Sequence, residues 1–258
     1  MPYSDLLFSI NAGVATITIN RPDRLNAFTG ETVDEIADAL KQSDENPEVG
    51  VIVLTGAGER AFCVGGDIDW EIDGGLEGLD WELGKHIVSC RKPVIARVDG
   101  YAIGGGNHLA YFCDFTIATT TSVFGQNGPR VGSPAGGYVV SYLAGVIGHK
   151  RAREMWMLCR KYSAAQALEW GLVNAVVSRD QLDAEVAQWC SEVLALSPTC
   201  LATIKQSFLQ IMQPAFEHNV SDTLQSVAPD YFRRGEQDEA LQAFKEKRQP
   251  DFSHWRNA

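Results

Sequence analysis

Three consecutive glycines, Gly104-Gly105-Gly106, follow the apolar stretch Tyr101-Ala102-Ile103 and precede Asn107-His108-Leu109-Ala110. Glycines at that density suit a turn whose backbone is approached closely. At the start of a helix the first N–H groups lack intrahelical acceptors, and the helix dipole adds to their pull on negative charge. Such a turn serves an anion or an oxyanion; it equally permits tight packing of a strand on a helix. A second glycine-rich stretch changes the balance. Val51-Ile52-Val53-Leu54-Thr55 runs into Gly56-Ala57-Gly58 and then Ala61-Phe62-Cys63-Val64-Gly65-Gly66-Asp67. Two such turns together supply two N–H donors to one oxygen, which is what an oxyanion hole requires. His108, two residues after the triple glycine, carries a side chain able to move protons near neutral pH, although a helix-borne histidine beside a core also serves as a hydrogen-bonded packing residue.

These turns need elements to hold them. Residues 93–98 and 51–55 read as short strands, the second apolar and β-branched enough to be buried on both faces, and the segment from the triple glycine through Tyr111 reads as a buried helix. Before them, residues 6–10 and 14–19 flank Asn11-Ala12-Gly13 as a hairpin, and Thr29 caps a helix from about 31 to 43. After them, residues 115–118 and 122–124 read as strands, and residues 126–138 form a long turn-rich segment of the kind that is usually functional. From Tyr138 onward the pattern is helical apart from a strand near 174–177, with helices predicted from 178 to about 195 and again from Ser197-Pro198. The acidic, glycine-rich segment 69–83 carries Trp70, Leu76 and Trp81, which pack either over a pocket or as a cap on the core. The pattern by itself predicts a mixed α/β core over residues 1–196 and a helical appendage over 197–258.

Composition narrows the function classes. A chain of 258 residues with 45% hydrophobic content can bury a large core, and its net charge of −11 argues against nucleic acid or an anionic membrane as partner. With no apolar run approaching about 20 residues and no basic stretch at the N-terminus, a cytoplasmic, soluble protein is expected. The six cysteines (Cys63, Cys90, Cys113, Cys159, Cys190, Cys200) show no CxxC spacing, so buried free thiols are expected rather than a metal site or disulfides.

One set of motifs is specific. Asn20-Arg21-Pro22 with Leu25-Asn26-Ala27, Ala61 through Asp67, Lys92-Pro93-Val94-Ile95-Ala96, Gly100 through Gly106, Cys113-Asp114, Phe124-Gly125-Gln126 and Gly171-Leu172-Val173 together resemble the crotonase (enoyl-CoA hydratase/isomerase) superfamily. The resemblance covers essentially the whole chain. It implies an α/β fold with a ββα spiral core, a C-terminal helical trimerisation region that also closes over CoA, and a homo-oligomer, trimer or hexamer. The implied substrate is an acyl-CoA thioester whose carbonyl accepts hydrogen bonds from the N–H groups of Gly66 and Gly105, so that an enolate is stabilised. For CoA it points to the 23–27 loop with Arg24 and Ala27, to Val64 beside the adenine and to Lys247 toward a phosphate, with Arg248 adding positive charge. No metal and no tightly bound cofactor are implied.

The proton-handling positions depart from the hydratase pattern. Where hydratases carry two glutamates this chain has His108 and Gly128. The segment 124–138, Arg151 through Trp156 and the tail Glu246 through Phe252 are more similar to the branch holding 1,4-dihydroxy-2-naphthoyl-CoA synthase and 2-ketocyclohexanecarboxyl-CoA hydrolase, which close or open a ring beside a thioester enolate. In the synthases the glycine matching Gly128 leaves room for bicarbonate as base. Ser133 matches a serine of that branch, and Tyr231 matches a tyrosine that hydrogen-bonds near the reacting centre. The branch's aspartate two residues after the serine is Ala135 here. The expected activity is therefore ring-forming or ring-opening chemistry on a cyclic or aryl acyl-CoA. Hydration or isomerisation of an unusual enoyl-CoA with His108 moving the proton, and acyl-CoA binding without catalysis, are the alternatives.

Overall fold

Strands β1 (Leu6–Asn11) and β2 (Val14–Ile19) form the hairpin expected from Asn11-Ala12-Gly13, pairing antiparallel with Leu6 opposite Ile19. A computed structural model of the chain describes residues 3–77, 82–217 and 220–255; Trp81 lies outside them. Helix α1 (Gly30–Glu45) starts where expected. The Thr29 side chain accepts from the Thr32 N–H, and the Thr29 N–H donates to Thr32 Oγ1 at 3.0 Å, satisfying donors that the helix leaves free.

The next six strands alternate between two sheets. β3 (Val51–Gly56), β5 (Val94–Val98) and β7 (Phe115–Thr119) extend the first sheet in parallel, while β4 (Ala61–Cys63), β6 (Tyr101–Ile103) and β8 (Val123–Gly125) build a second. The larger sheet has the order β1-β2-β3-β5-β7-β10, with β10 at Ala175–Val177, and the smaller has the order β4-β6-β8-β9, with β9 at Lys161–Ser163. Each turn of chain gives one strand to each sheet and then a helix, the ββα spiral that the resemblance implied. Gly100 makes one of the corners, at φ +76, where a Cβ would lie 2.2 Å from the Arg60 carbonyl oxygen.

Every residue of β3 is buried, which explains its lack of polar alternation. Ile52 and Leu54 face the main core with Ile17, Ile19, Phe62, Phe112, Phe124 and Tyr138. Val51 and Val53 face the other way, joining Ile95 and Ile117 against Leu182, Val186 and Cys190 of the helix Arg179–Leu194.

The helices after β3 are α2 (Ile68–Ile72), α3 (Leu83–Ser89), α4 (Gly105–Phe112), α5 (Gly128–Val131), α6 (Gly137–Ile147), α7 (His149–Leu158) and α8 (Ala164–Glu169). They continue as α9 (Arg179–Leu194), α10 (Pro198–Phe216), α11 (Val220–Val227) and α12 (Glu236–Lys245). Helix α10 packs on α3 and α6, and α12 packs on α2 and α5. The buried Lys205 ammonium fixes α10 by donating to Asp114 at 2.6 Å and to the Lys92 carbonyl at 2.9 Å.

Three strands run against the sequence expectation. β4 and β6 were not anticipated, and β9 interrupts a stretch expected to be helical from Tyr138. Cys63, Cys90, Cys113 and Cys190 are buried thiols as expected, but Cys159 is half-buried and Cys200 is exposed. Among the described residues no helix is long and apolar enough to cross a membrane.

Candidate active site

The two glycine turns meet. A Cβ on Gly65, which has φ +95, would lie 3.2 Å from the Gly105 nitrogen. The Phe28 N–H donates to the Gly65 carbonyl at 2.9 Å and the Asp67 N–H donates to the Phe28 carbonyl at 2.8 Å. In such a parallel bridge the N–H of the intervening Gly66 points away from Phe28. Gly105 is the first residue of α4, so its N–H has no intrahelical acceptor. The triple glycine is required by crowding: Gly104 has φ +55, a Cβ on Gly105 would lie 2.5 Å from the Phe28 ring, and one on Gly106 would lie 2.0 Å from the Cys63 carbonyl oxygen.

Both glycines open on a cavity of 1180 Å³, whose wall also holds Arg24, Ala27, Val64, His108, Gly128, Ser133 and Lys247. Nine of the ten residues singled out in the sequence thus share one cavity. The tenth, Tyr231, is absent from its wall, although its neighbours Asp230, Phe232 and Arg233 are there. Its hydroxyl donates to the Gly132 carbonyl at 2.7 Å, and burial pushes its pKa up. The expected hydrogen bond from Tyr231 to a reacting centre is replaced by one that ties the C-terminal region to the turn after α5.

The loop carrying Arg24 and Ala27 is buttoned onto the glycine turn. Asn26 is fully buried; its side-chain oxygen accepts from the Arg21 N–H at 3.0 Å and its amide donates to the Ala57 and Ala61 carbonyls at 3.0 and 2.7 Å. Arg21 donates to the Ala27 carbonyl and pairs with Asp67 at 3.2 Å. Sequence reasoning quoted these residues as motif but missed their positioning role. At the mouth, the Asp69 carboxylate bridges Arg24 at 3.0 Å and Lys245 at 3.1 Å, linking that loop to α12. Lys247 follows α12 with φ +56 and reaches the wall. Arg248 does not join it: Glu239 holds its guanidinium at 2.6 and 2.8 Å and Glu246 at 2.6 Å, so the expected positive patch loses that member.

Gly128 is held close to Ser133: a Cβ on it would lie 2.5 Å from the Ser133 carbonyl oxygen, and the Ser133 N–H donates to the Gly128 carbonyl at 3.0 Å. Ser133, Pro134 and Ala135 line the cavity beside it. Leu76 lines it too, whereas Trp70 packs edge-on against Phe28 with ring centroids 6.4 Å apart, a core cap rather than a pocket cover.

His108 lies 3.1 Å through Nε2 from Gln126 Oε1, with the Trp156 ring 5.3 Å from its own. Removal from water pushes its pKa down to about 4, against a smaller opposing effect of Gln126, so it is neutral at physiological pH. The side-chain N–H groups of Gln126 and Trp156, both wall residues, are buried without an acceptor.

Glu71 is the wall residue that sequence reasoning missed. It is 5% exposed, its Oε2 is buried without a hydrogen-bond partner among the described residues, and a Cβ on Gly66 would lie 2.1 Å from its Oε1. The Glu71 carboxyl thus occupies the space that a side chain at Gly66 would enter. Burial first, and the charge of Asp67 second, push the Glu71 pKa up to about 7. The available signal was its position three residues after Ile68, on the same helix face.

The arrangement is a largely apolar cavity lined by two glycine turns that carry backbone N–H groups and by the exposed cations Arg24 and Lys245. It can bind an anionic ligand and stabilise negative charge developing on an oxygen. Comparison with known proteins gives the same direction. The family model for enoyl-CoA hydratase/isomerase matches residues 9–255. Among solved structures, an enoyl-CoA hydratase from Mycobacterium avium subsp. paratuberculosis K-10 is 32% identical, with 97% of this chain and 99% of that one covered and a TM-score of 0.80. A carnitinyl-CoA hydratase from Mycobacterium avium is 27% identical, with 97% and 98% covered and a TM-score of 0.83. A methylmalonyl-CoA decarboxylase is 26% identical, with 98% and 99% covered and a TM-score of 0.84.

Proposed function

The chain belongs to the enoyl-CoA hydratase/isomerase (crotonase) family, and from that membership we propose that it converts a CoA thioester through an enolate held by the N–H groups of Gly66 and Gly105. The observation that carries this reading is the meeting of the two glycine turns at one cavity, where the Gly66 N–H points away from its bridge partner and the Gly105 N–H has no intrahelical acceptor. As charge develops on the thioester oxygen, fixed amides aimed at it lower the barrier by roughly 3–4 kcal/mol per donor on mutational precedent, and they need no reorganisation at the moment of reaction. On the family resemblance Lys247, with Arg24, receives the CoA phosphates, Val64 lies beside the adenine, and Ala27 belongs to the loop that holds CoA.

Within this class, carbon–carbon bond making or breaking beside the enolate is the reaction placed first. The positions matching the two hydratase glutamates hold His108, kept neutral by burial, and Gly128, so no carboxylate pair is available there to activate water. Ser133 on the wall favours a ring-closing or ring-opening reaction. Similarity to a decarboxylase, named for breaking a carbon–carbon bond, supports the same type of step. Hydration or isomerisation of an enoyl-CoA is the second reading, supported by the similarity to two hydratases. Assembly as a trimer or hexamer is the state the family resemblance implies, and the exposed apolar row Ile204, Phe208 and Ile211 on one face of α10 supports association between chains.

Mass spectrometry of CoA thioesters incubated with the protein, with and without bicarbonate, separates the readings. Loss of water from o-succinylbenzoyl-CoA or its gain on 2-ketocyclohexanecarboxyl-CoA supports the first, and gain of water on cyclic or linear enoyl-CoAs supports the second. Tight CoA-ester binding with no change in any thioester, and no exchange at the α-carbon, would contradict both.

A further inference from the structure

An enolate forms only when a base takes the α-proton, and it is discharged only when an acid returns one. Glu71 stands where such a group is needed. Its carboxyl lies against Gly66, and it lines the same cavity as Gly66 and Gly105, within a few ångströms of the place where the enolate reading puts the thioester. Among the described residues no cation is paired with the carboxyl: Arg21 is engaged with Asp67 at 3.2 Å, and Arg24 and Lys245 are engaged with Asp69. The charged and titratable groups facing it are Asp67 from its own turn and Tyr231 from the C-terminal region packed over α2. A carboxyl buried to 5% exposure with an unpartnered oxygen is costly to stability, and an apolar side chain would fill the position at lower cost. Such a cost fits a group kept for proton transfer.

We propose that Glu71 is the acid–base residue of this site, exchanging a proton with the α-carbon of the bound acyl-CoA. The proposal rests on the enolate reading above. The Glu71 carboxylate removes the α-proton, the C–H electron pair becomes the carbon–carbon π bond of the enolate, and the carbonyl π pair moves onto the oxygen held by Gly66 and Gly105. In the reverse sense the protonated carboxyl returns its proton to the α-carbon. The step balances with no metal, oxidant or co-substrate. Where the reaction breaks a carbon–carbon bond, the same protonated carboxyl quenches the enolate left behind. A pKa pushed up to about 7 supports the role, since both protonation states are then populated at neutral pH. His108, with its pKa pushed down to about 4 and its Nε2 beside Gln126, is the weaker base.

The test is hydrogen–deuterium exchange at C2 of phenylacetyl-CoA and butyryl-CoA in D2O, followed by NMR. The wild-type protein is expected to exchange the C2 protons. Glu71→Gln is expected to slow this by on the order of 100-fold or more, and Glu71→Asp to restore part of it. Affinity for free CoA should stay unchanged in both, which separates loss of the proton carrier from loss of the site. Exchange at the wild-type rate in Glu71→Gln overturns the assignment while leaving the enolate reading standing. Exchange kept in Glu71→Gln but lost in His108→Gln gives the role to the histidine. A wild-type protein that exchanges neither thioester overturns both the assignment and the reading beneath it.

Discussion

Glu71 and His108 face one cavity, and burial moves their pKa values in opposite directions, so they give stability opposite pH dependences. Glu71 is raised from 4.5 to about 7; its native state prefers the proton, and the stability this confers is complete below 4.5 and lost as pH rises through 7. Glu71→Gln should therefore stabilise the protein by about 3 kcal/mol at pH 8 and by almost nothing at pH 4. Thermal melts at the two pH values check this, and an equal effect at both would contradict it. His108 is lowered from 6.5 to about 4, so its contribution is complete above 6.5 and lost as pH falls through 4. His108→Gln should flatten that acid limb by about 3 kcal/mol in urea titrations at pH 7 and pH 4. The sequence brought Gly66, Gly105 and His108 forward through the family resemblance, since a glycine cluster or a histidine beside a core serves packing equally well, and the structure gathers all three at one cavity. Glu71 was hidden because the five residues of α2 put charged and apolar side chains in near alternation. Only the close approach to Gly66 shows which of them turns inward.

At the scale of elements, the donors depend on how tightly α4 and the turn after β4 pack. Gly106→Ala would press a Cβ against the Cys63 carbonyl, which is backbone and cannot swing away. It should cost about 3 kcal/mol and misplace the Gly105 N–H, lowering kcat in parallel. Gly145→Ala is the control: it lies inside α6 with nothing within 4 Å of the added Cβ, and should stabilise by roughly 0.5–1 kcal/mol. Chemical denaturation of the two variants gives both numbers, and a neutral Gly106→Ala would mean that the turn is looser than described. The long strands and α1 were legible because each carries a full period or a cap. β4, β6 and β9 were not, since three residues hold no period, and Lys161-Tyr162-Ser163 is a strand only because it pairs antiparallel with β8. Tyr231 and Arg248 were misjudged for a related reason: their partners, Gly132 and Glu239, are 99 and 9 residues away, and no local pattern announces them.

For the whole molecule, a net charge of −11 and a cavity mouth bearing Arg24, Lys245 and Lys247 describe a protein that repels polyanions in general but admits one at a single place. CoA affinity should therefore weaken as ionic strength rises. The same scale sets the assembly. Ile204, Phe208 and Ile211 are 55%, 68% and 76% exposed on one helix face, a contiguous apolar row of the kind that marks an interaction site. Light scattering should give the mass of three or six chains, and Phe208→Glu should lower it without changing the helical circular dichroism; a monomeric wild type would contradict this. The spiral architecture was legible through the family resemblance alone, because alternation of short strands between two sheets is a long-range pairing pattern that local periodicity does not encode. The central claim concerns one oxygen atom, and the crystal structure of the complex with acetoacetyl-CoA tests it most directly. The account predicts the thioester oxygen at about 2.7–3.2 Å from both the Gly66 and the Gly105 nitrogens, with the Glu71 carboxyl facing C2. A thioester oxygen bonded elsewhere, or a CoA bound with its acyl group outside the cavity, would contradict it.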